Sequence, residues 1–172
     1  DWVTLTIDRQ AKANAITGEM FVAIGEAVAD LDPDTVNGVT LRGAGEHFSA
    51  GVDMSGVPDW ADQPPRSVEA ELEAFHDGLR ALESAPLPVV AALEGLVLGG
   101  AVELALACDV RIASRTAEFA FPEADLGLAI DLGGGQKLPR FVGEGLAKYL
   151  IMTGESIGAD PALSAGLVEA VH

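Results

Sequence analysis

From Trp2 to Asp8 apolar and polar residues alternate, with Val3, Leu5 and Ile7 set against Thr4, Thr6 and Asp8. A period of two turns one face of the segment inward, so the pattern predicts a first β-strand. The period then changes. Over Glu19 to Leu31, Phe21, Ile24, Val28 and Leu31 fall on one stripe at helical spacing, behind a start signal at Thr17 or Gly18. Val39 to Arg42 predicts a second strand, closed by the turn signal Gly43-Ala44-Gly45. Between Gly56 and Arg66 the prolines Pro58, Pro64 and Pro65 with Asp59 and Asp62 have the composition of a surface loop. Helical spacing resumes at Ser67, where Val68, Leu72, Phe75, Leu79 and Leu82 form a stripe. Pro86 and Pro88 stop it and open a short apolar strand, Val89 to Leu93. Gly99-Gly100 starts a helix running through Ala107, and Asp109 to Ser114 and Glu118 to Phe121 predict two further short strands. Strands alternating with helices predict one α/β domain over residues 1–172, built from ββα-like or βα turns.

Composition narrows the picture. The chain has 172 residues, 49% of them hydrophobic, which suffices for a buried core. Its longest apolar runs are broken by Glu94, by glycines and by Glu103, so no transmembrane helix is expected. No basic, then apolar, leader opens it, and the lone Cys108 has no internal disulfide partner. Both favour a reducing, cytoplasmic setting. Ten basic residues against 27 acidic ones give a net charge of −17, which repels nucleic acid and anionic membranes. Lysine occurs only at Lys12, Lys137 and Lys148, a composition that suits a salt-adapted host or a GC-rich genome equally. An anionic ligand would have to be bound by local charge against this background.

Candidate chemistry lies in two glycine-containing loops that follow predicted strands, Phe48-Ser49-Ala50-Gly51-Val52-Asp53 and Leu98-Gly99-Gly100-Ala101-Val102-Glu103. A Gly-Gly pair at a helix start leaves orphan N–H donors and the positive end of the helix dipole facing whatever precedes it, and a developing oxyanion fits there. Close helix-to-sheet packing is the competing reading of the same pair. Glu103 favours the chemical one. It lies one turn beyond Gly100 on the same face, embedded among Val102, Leu104, Ala105, Leu106 and Ala107, where an unpaired carboxylate would cost several kcal/mol. Such a residue is paired or functional.

Over its full length the sequence resembles the crotonase (enoyl-CoA hydratase/isomerase) superfamily. The resemblance is carried, in order, by Asn14-Ala15, by Arg42-Gly43-Ala44-Gly45 through Asp53, and by Glu94-Gly95 through Gly99-Gly100-Ala101-Val102-Glu103-Leu104-Ala105. It continues with Cys108-Asp109, Phe121-Pro122-Glu123, Gly127-Leu128, Gly133-Gly134 with Gln136 to Arg140, and Ala165 to Val168. It implies a spiral of ββα turns that holds a thioester carbonyl on the main-chain N–H groups of Val52 and Gly100, with Glu103 and Glu123 in the two carboxylate positions of the hydratases. Stabilising the enolate makes the α carbon acidic, and two facing carboxylates then exchange protons with water and carbon. Gly127 to Gly133 resembles the dienoyl-CoA isomerase branch, where Glu123 and Asp131 would form the proton-shuttling pair. The residue at position 103 in that branch is usually Asp. A non-catalytic acyl-CoA binding or assembly protein is a third reading, and related thioester hydrolases or decarboxylases share the oxyanion hole.

The resemblance also implies coenzyme A bound as part of the substrate, along Lys12, Ala13, Ala50, Gly51, Asp53 and Gly99, with its phosphates near Arg9 and Lys12; no separate cofactor and no metal is expected. Met54-Ser55-Gly56 replaces a stretch where relatives carry a lysine. Homo-oligomers, trimers or dimers of trimers, are implied, although the chain stops at His172 where relatives continue into C-terminal helices. His47 and His76 read as solvent-facing, Cys108 as a small core residue. Met20, Phe21, Phe48, Trp60 and Phe75 are candidates for an acyl pocket, with the loop from Gly56 to Arg66 as its cover.

Overall fold

The computed structural model describes residues 1–56 and 63–172. A five-stranded parallel sheet carries, side by side, β1 (Trp2–Ile7), β2 (Gly38–Gly43), β3 (Val89–Leu93), β5 (Val110–Ala113) and β8 (Ala170–Val171). A smaller sheet carries β4 (Leu96–Leu98), β6 (Glu118–Ala120) and β7 (Ile157–Gly158), with β7 antiparallel to β6. The helices are α1 (Gly18–Ala29), α2 (Pro65–Glu83), α3 (Gly100–Ala107), α4 (Gly134–Thr153) and α5 (Ala159–Ala165). Each turn of the spiral lays one strand in the large sheet, the next in the small one, and then a helix. β3, β4 and α3 make one such turn, and β5, β6 and α4 the next. An earlier turn runs from β2 through Ser49, which bridges in parallel to Val97 of β4, and on to α2. The predicted α/β spiral of ββα turns is the observed architecture.

Local sequence explains the element ends. The Thr17 side chain accepts a hydrogen bond from the Met20 N–H, capping α1. Pro65 occupies the first turn of α2, where its missing N–H costs nothing. β3 is apolar throughout, as a central parallel strand covered on both sides must be. Helices α1 and α2 pack where Gly25 meets Gly78: a β-carbon on Gly25 would lie 2.9 Å from the Ala81 methyl and nearer still to the Gly78 carbonyl. The Phe21 and Phe75 rings meet beside this crossing at 5.2 Å between centroids.

Beyond Phe121 the structure adds elements that no sequence periodicity predicts. α4 is bent at Gly143 (φ 79°, ψ 157°), and α5 and β8 follow. Arg111, 1% exposed, ties this region down. Its guanidinium donates to the Leu167 and Cys108 carbonyls at 2.9 and 3.0 Å, pairs with Glu169, and lies 4.3 Å over the Phe141 ring. No helix among the described residues is long and apolar enough to cross a membrane.

Candidate active site

The Ser49–Val52 segment is an extended stretch pinned on two sides. Ser49 exchanges main-chain hydrogen bonds with Leu96 and Leu98. On the other edge Ile16 N–H donates to Gly51 C=O at 2.8 Å, and Asp53 N–H donates to Ile16 C=O at 2.9 Å. Since successive N–H groups of an extended chain point to opposite sides, the Val52 N–H is turned away from Ile16. Buried Asn14 holds the approach to this segment: its side chain accepts from Arg9 N–H and donates to the Ala44 and His47 carbonyls at 2.8 and 2.7 Å. Arg9 also pairs with Asp53 and donates to the Ala15 carbonyl. Hydrogen bonds from Ser55, and then the Arg9 guanidinium, hold the Asp53 carboxyl well below the usual carboxylate range. The guanidinium proposed for coenzyme A phosphate is thus engaged within the protein, and Asp53 lies outside the pocket wall as a partner of Arg9.

The second loop enters α3 through Gly99, whose φ of 51° with ψ of −120° is open essentially to glycine alone. Every residue of α3 is buried. Its first amide, Gly100 N–H, has no carbonyl one turn earlier in the helix. The Val52 nitrogen lies 3.6 Å from where a β-carbon on Gly100 would sit, and the Gly100 nitrogen lies 3.6 Å from where one on Gly51 would sit. The two amide nitrogens therefore lie close to one another on one stretch of wall. Among the described residues, neither donates to a protein acceptor.

Carboxylates face this place from three elements. Glu103, 2% exposed, accepts a 2.7 Å hydrogen bond from Gly134 N–H at the start of α4. Burial pushes its carboxyl up to about 7, against the Gly134 hydrogen bond, with Glu123 and Asp131 adding like-charge repulsion. Glu123 stands on a 3-10 turn, Pro122–Leu126, that follows β6. Its carboxylate lies against the Gly99 Cα, and its buried Oε2 has no hydrogen-bond partner among the described residues. Burial raises its pKa, and Asp131 adds to the rise. Asp131 sits on the loop between that turn and α4, exposed toward solvent yet bordering the same cavity.

That cavity, about 150 Å³, brings together Ala50, Gly51, Val52, Gly99, Gly100, Glu103, Glu123 and Asp131 of the residues singled out from sequence. Lys12, Ala13 and Asp53 do not line it. Its apolar side is formed by Leu72 and Phe75 of α2 with Leu126 and Leu128 opposite. Of the aromatic candidates, Phe75 lines the cavity and Phe21 and Phe48 are core, while Met20 faces a separate groove beside β1. Trp60 and most of the proposed covering loop lie outside the described residues. Cys108 is core as expected, its thiol pushed up to about 12 by burial.

Two histidines depart from the sequence reading. His47 is half-buried, and its Nδ1 accepts from Leu96 N–H at 3.3 Å. His76 is half-buried, and its Nε2 lies 2.9 Å from the Asp131 carbonyl oxygen in a solvent-exposed contact. Four residues beyond Leu72 and three before Leu79, it shares their side of α2. Sequence reasoning also missed Gly134 as the partner of Glu103. The Gly133-Gly134 pair held the signal, as a second glycine pair opening a helix with an orphan donor.

The family model described as enoyl-CoA hydratase/isomerase matches residues 3–172. The chain belongs to this family. It is 39% identical over 171 residues to a short-chain-enoyl-CoA hydratase of Clostridium acetobutylicum, covering 97% of this chain and 64% of that protein. It is 34% identical over 178 residues to a peroxisomal Δ(3,5)-Δ(2,4)-dienoyl-CoA isomerase of Arabidopsis thaliana, with the same coverage. The crystal structure of an enoyl-CoA hydratase from Polaromonas sp. JS666 superposes with a TM-score of 0.91 at 32% identity, over 98% of this chain and 66% of that one. The chain thus spans about two thirds of the length of its family relatives.

Proposed function

We propose that this chain carries the catalytic centre of an enoyl-CoA hydratase. The observation that carries the reading is that the Val52 and Gly100 amides, neither donating to an acceptor among the described residues, neighbour one another on a pocket also lined by Glu103 and Glu123. A thioester carbonyl at that point accepts both N–H groups, which strengthen their hold as the oxygen gains enolate charge, each contributing about 3 kcal/mol to the barrier reduction. Water adds its oxygen to the β carbon and leaves a proton with a carboxylate, and the α carbon takes a proton from the other. Glu103, fixed by Gly134, orients and deprotonates the water; Glu123, against Gly99, delivers the α proton. Burial raises the pKa of both carboxyls, which brings each nearer to the range in which a carboxyl can exchange a proton with substrate and water. The coenzyme A moiety lies along Ala50 and Gly51, with exposed Lys12 as the basic side chain left free for phosphate. Assembly into homo-oligomers would cover exposed Tyr149 and Met152 on α4.

The test follows the loss of the conjugated enoyl thioester chromophore on trans-2-enoyl-CoA. Glu123→Gln and Glu103→Gln are each expected to lower kcat by about 100-fold or more. Unchanged rates in both would remove the assignment. Asp131 on the same cavity supports a second reading, in which Glu123 and Asp131 pass a proton along a dienoyl chain. That reading requires turnover of a 3,5-dienoyl thioester, lost in Asp131→Asn, without hydration of a 2-enoyl thioester.

A further inference from the structure

The His76 contact joins the two walls of the pocket. On one side, α2 contributes Leu72 and Phe75 to the apolar wall, and His76 follows Phe75 directly. On the other, the peptide from Asp131 to Gly134 carries three parts of the site within four residues. These are the Asp131 carboxylate, the Leu132 side chain packed toward Gly100, and the Gly134 N–H that binds Glu103 Oε1. Among the described residues, the 2.9 Å contact of His76 Nε2 with the Asp131 carbonyl is the one hydrogen bond between α2 and the loop 127–133.

We propose that His76 is a positioning residue, whose Nε2–H fixes the Asp131 peptide and through it the Gly134 amide on Glu103. It touches no reacting atom. Together with the Lys137–Glu83 ion pair that ties α2 to the first turn of α4, its hydrogen bond sets how far α2 stands from the loop, and hence both the placement of the Asp131 carboxylate and the quality of the Gly134–Glu103 bond. A carbonyl oxygen only accepts, so the neutral imidazole must carry its proton on Nε2. Without this tie the Asp131 peptide loses its hydrogen bond to α2, and the amide that favours ionised Glu103 is held less closely. A displacement of about 1 Å at a proton-transferring carboxylate costs on the order of 10- to 100-fold in rate.

The inference rests on the hydratase reading only in its kinetic arm, so three measurements are combined. In the unmodified chain, ¹⁵N shifts of the neutral His76 ring should show the Nε2–H tautomer; a predominantly Nδ1–H ring would overturn the proposal without any mutant. In His76→Leu, carboxyl ¹³C NMR should show the Glu103 titration midpoint rising by about 0.5 or more, the size of one weakened backbone hydrogen bond. His76→Gln, whose amide nitrogen can replace Nε2, should restore it. With trans-2-enoyl-CoA, His76→Leu should lower kcat by about 10-fold or more with KM within about 2-fold, and Gln should recover most of the loss. A lowered Tm with the Glu103 midpoint unmoved would reduce His76 to a structural contact and overturn the proposal. Should no thioester turn over, the hydratase reading fails by itself, and the tautomer and the Glu103 midpoint still decide the role of His76.

Discussion

Replacing Gly99 by alanine adds a single carbon, yet the structure gives that carbon nowhere to go. It would lie 3.1 Å from Glu123 Cδ and closer still to Oε1, at a residue whose φ of 51° and ψ of −120° are strained for any side chain. Backbone strain of this kind costs on the order of 1–3 kcal/mol, and about 2 kcal/mol lowers Tm by roughly 4–8 °C in a chain of this size. The carboxylate is the more mobile partner, so the clash is relieved by pushing Glu123 away from the neighbouring amides. Gly99→Ala should therefore lose about 100-fold or more in kcat on trans-2-enoyl-CoA, a loss comparable to that of Glu123→Gln. A cycle with Glu123→Ala separates the two effects. Where the carboxylate is already absent, Gly99→Ala should still lower Tm but cause little further loss of activity, a strongly non-additive result. If Gly99→Ala retains parental activity, or if its effect multiplies fully with that of Glu123→Ala, the placement of Glu123 against Gly99 is wrong.

Glu103 makes a prediction about stability. Its folded-state pKa of about 7 lies above the ordinary 4.5, so the native state binds the extra proton. This group's contribution to stability is then undiminished below pH 4.5, falls as pH rises to about 7, and is flat above that. The full loss is on the order of 3 kcal/mol. Glu103→Gln should remove that fall and be more stable than the parent at pH 8; urea denaturation across pH that shows the same slope in both proteins would contradict the buried, protonatable carboxyl. Arg111→Met strips donors from the Leu167 and Cys108 carbonyls and leaves Glu169 without its partner, so it should cost about 3 kcal/mol or more in denaturant titration. A midpoint unchanged within error would show that these contacts do not hold the region together. Gly25→Val forces α1 and α2 apart at their glycine crossing, with an expected loss of about 2 kcal/mol by the same assay and no change in pH profile.

Much of the first two thirds of the chain was legible locally. Alternation over Val3 to Ile7, the stripe from Phe21 to Val28 and the apolar run Val89 to Leu93 each carry their period within one element, and burial of one face follows from that period alone. The helix beginning at Gly100 and the isolated acid at Glu103 were equally plain, because a charge in a wholly apolar helix must have a partner or a task. The shortest strands were not legible, although β5 and β6 were read from sequence. β4, β7 and β8 have two or three residues each, too few to show a period, and they exist as strands because a neighbour supplies their hydrogen bonds, as β5 does for β8.

The sequence by itself determined the period of each long element, the places where glycine opens a helix, and the presence of acids in apolar or glycine-rich surroundings, since these depend on neighbours along the chain. Only the tertiary structure decided the pairings. Glu103 takes its hydrogen bond from Gly134, 31 residues on, Arg9 turns to Asp53, and His76 reaches Asp131 across 55 residues. Nothing local encodes these choices: each costs the closure of a long loop, and each is recovered only when the whole spiral packs at once.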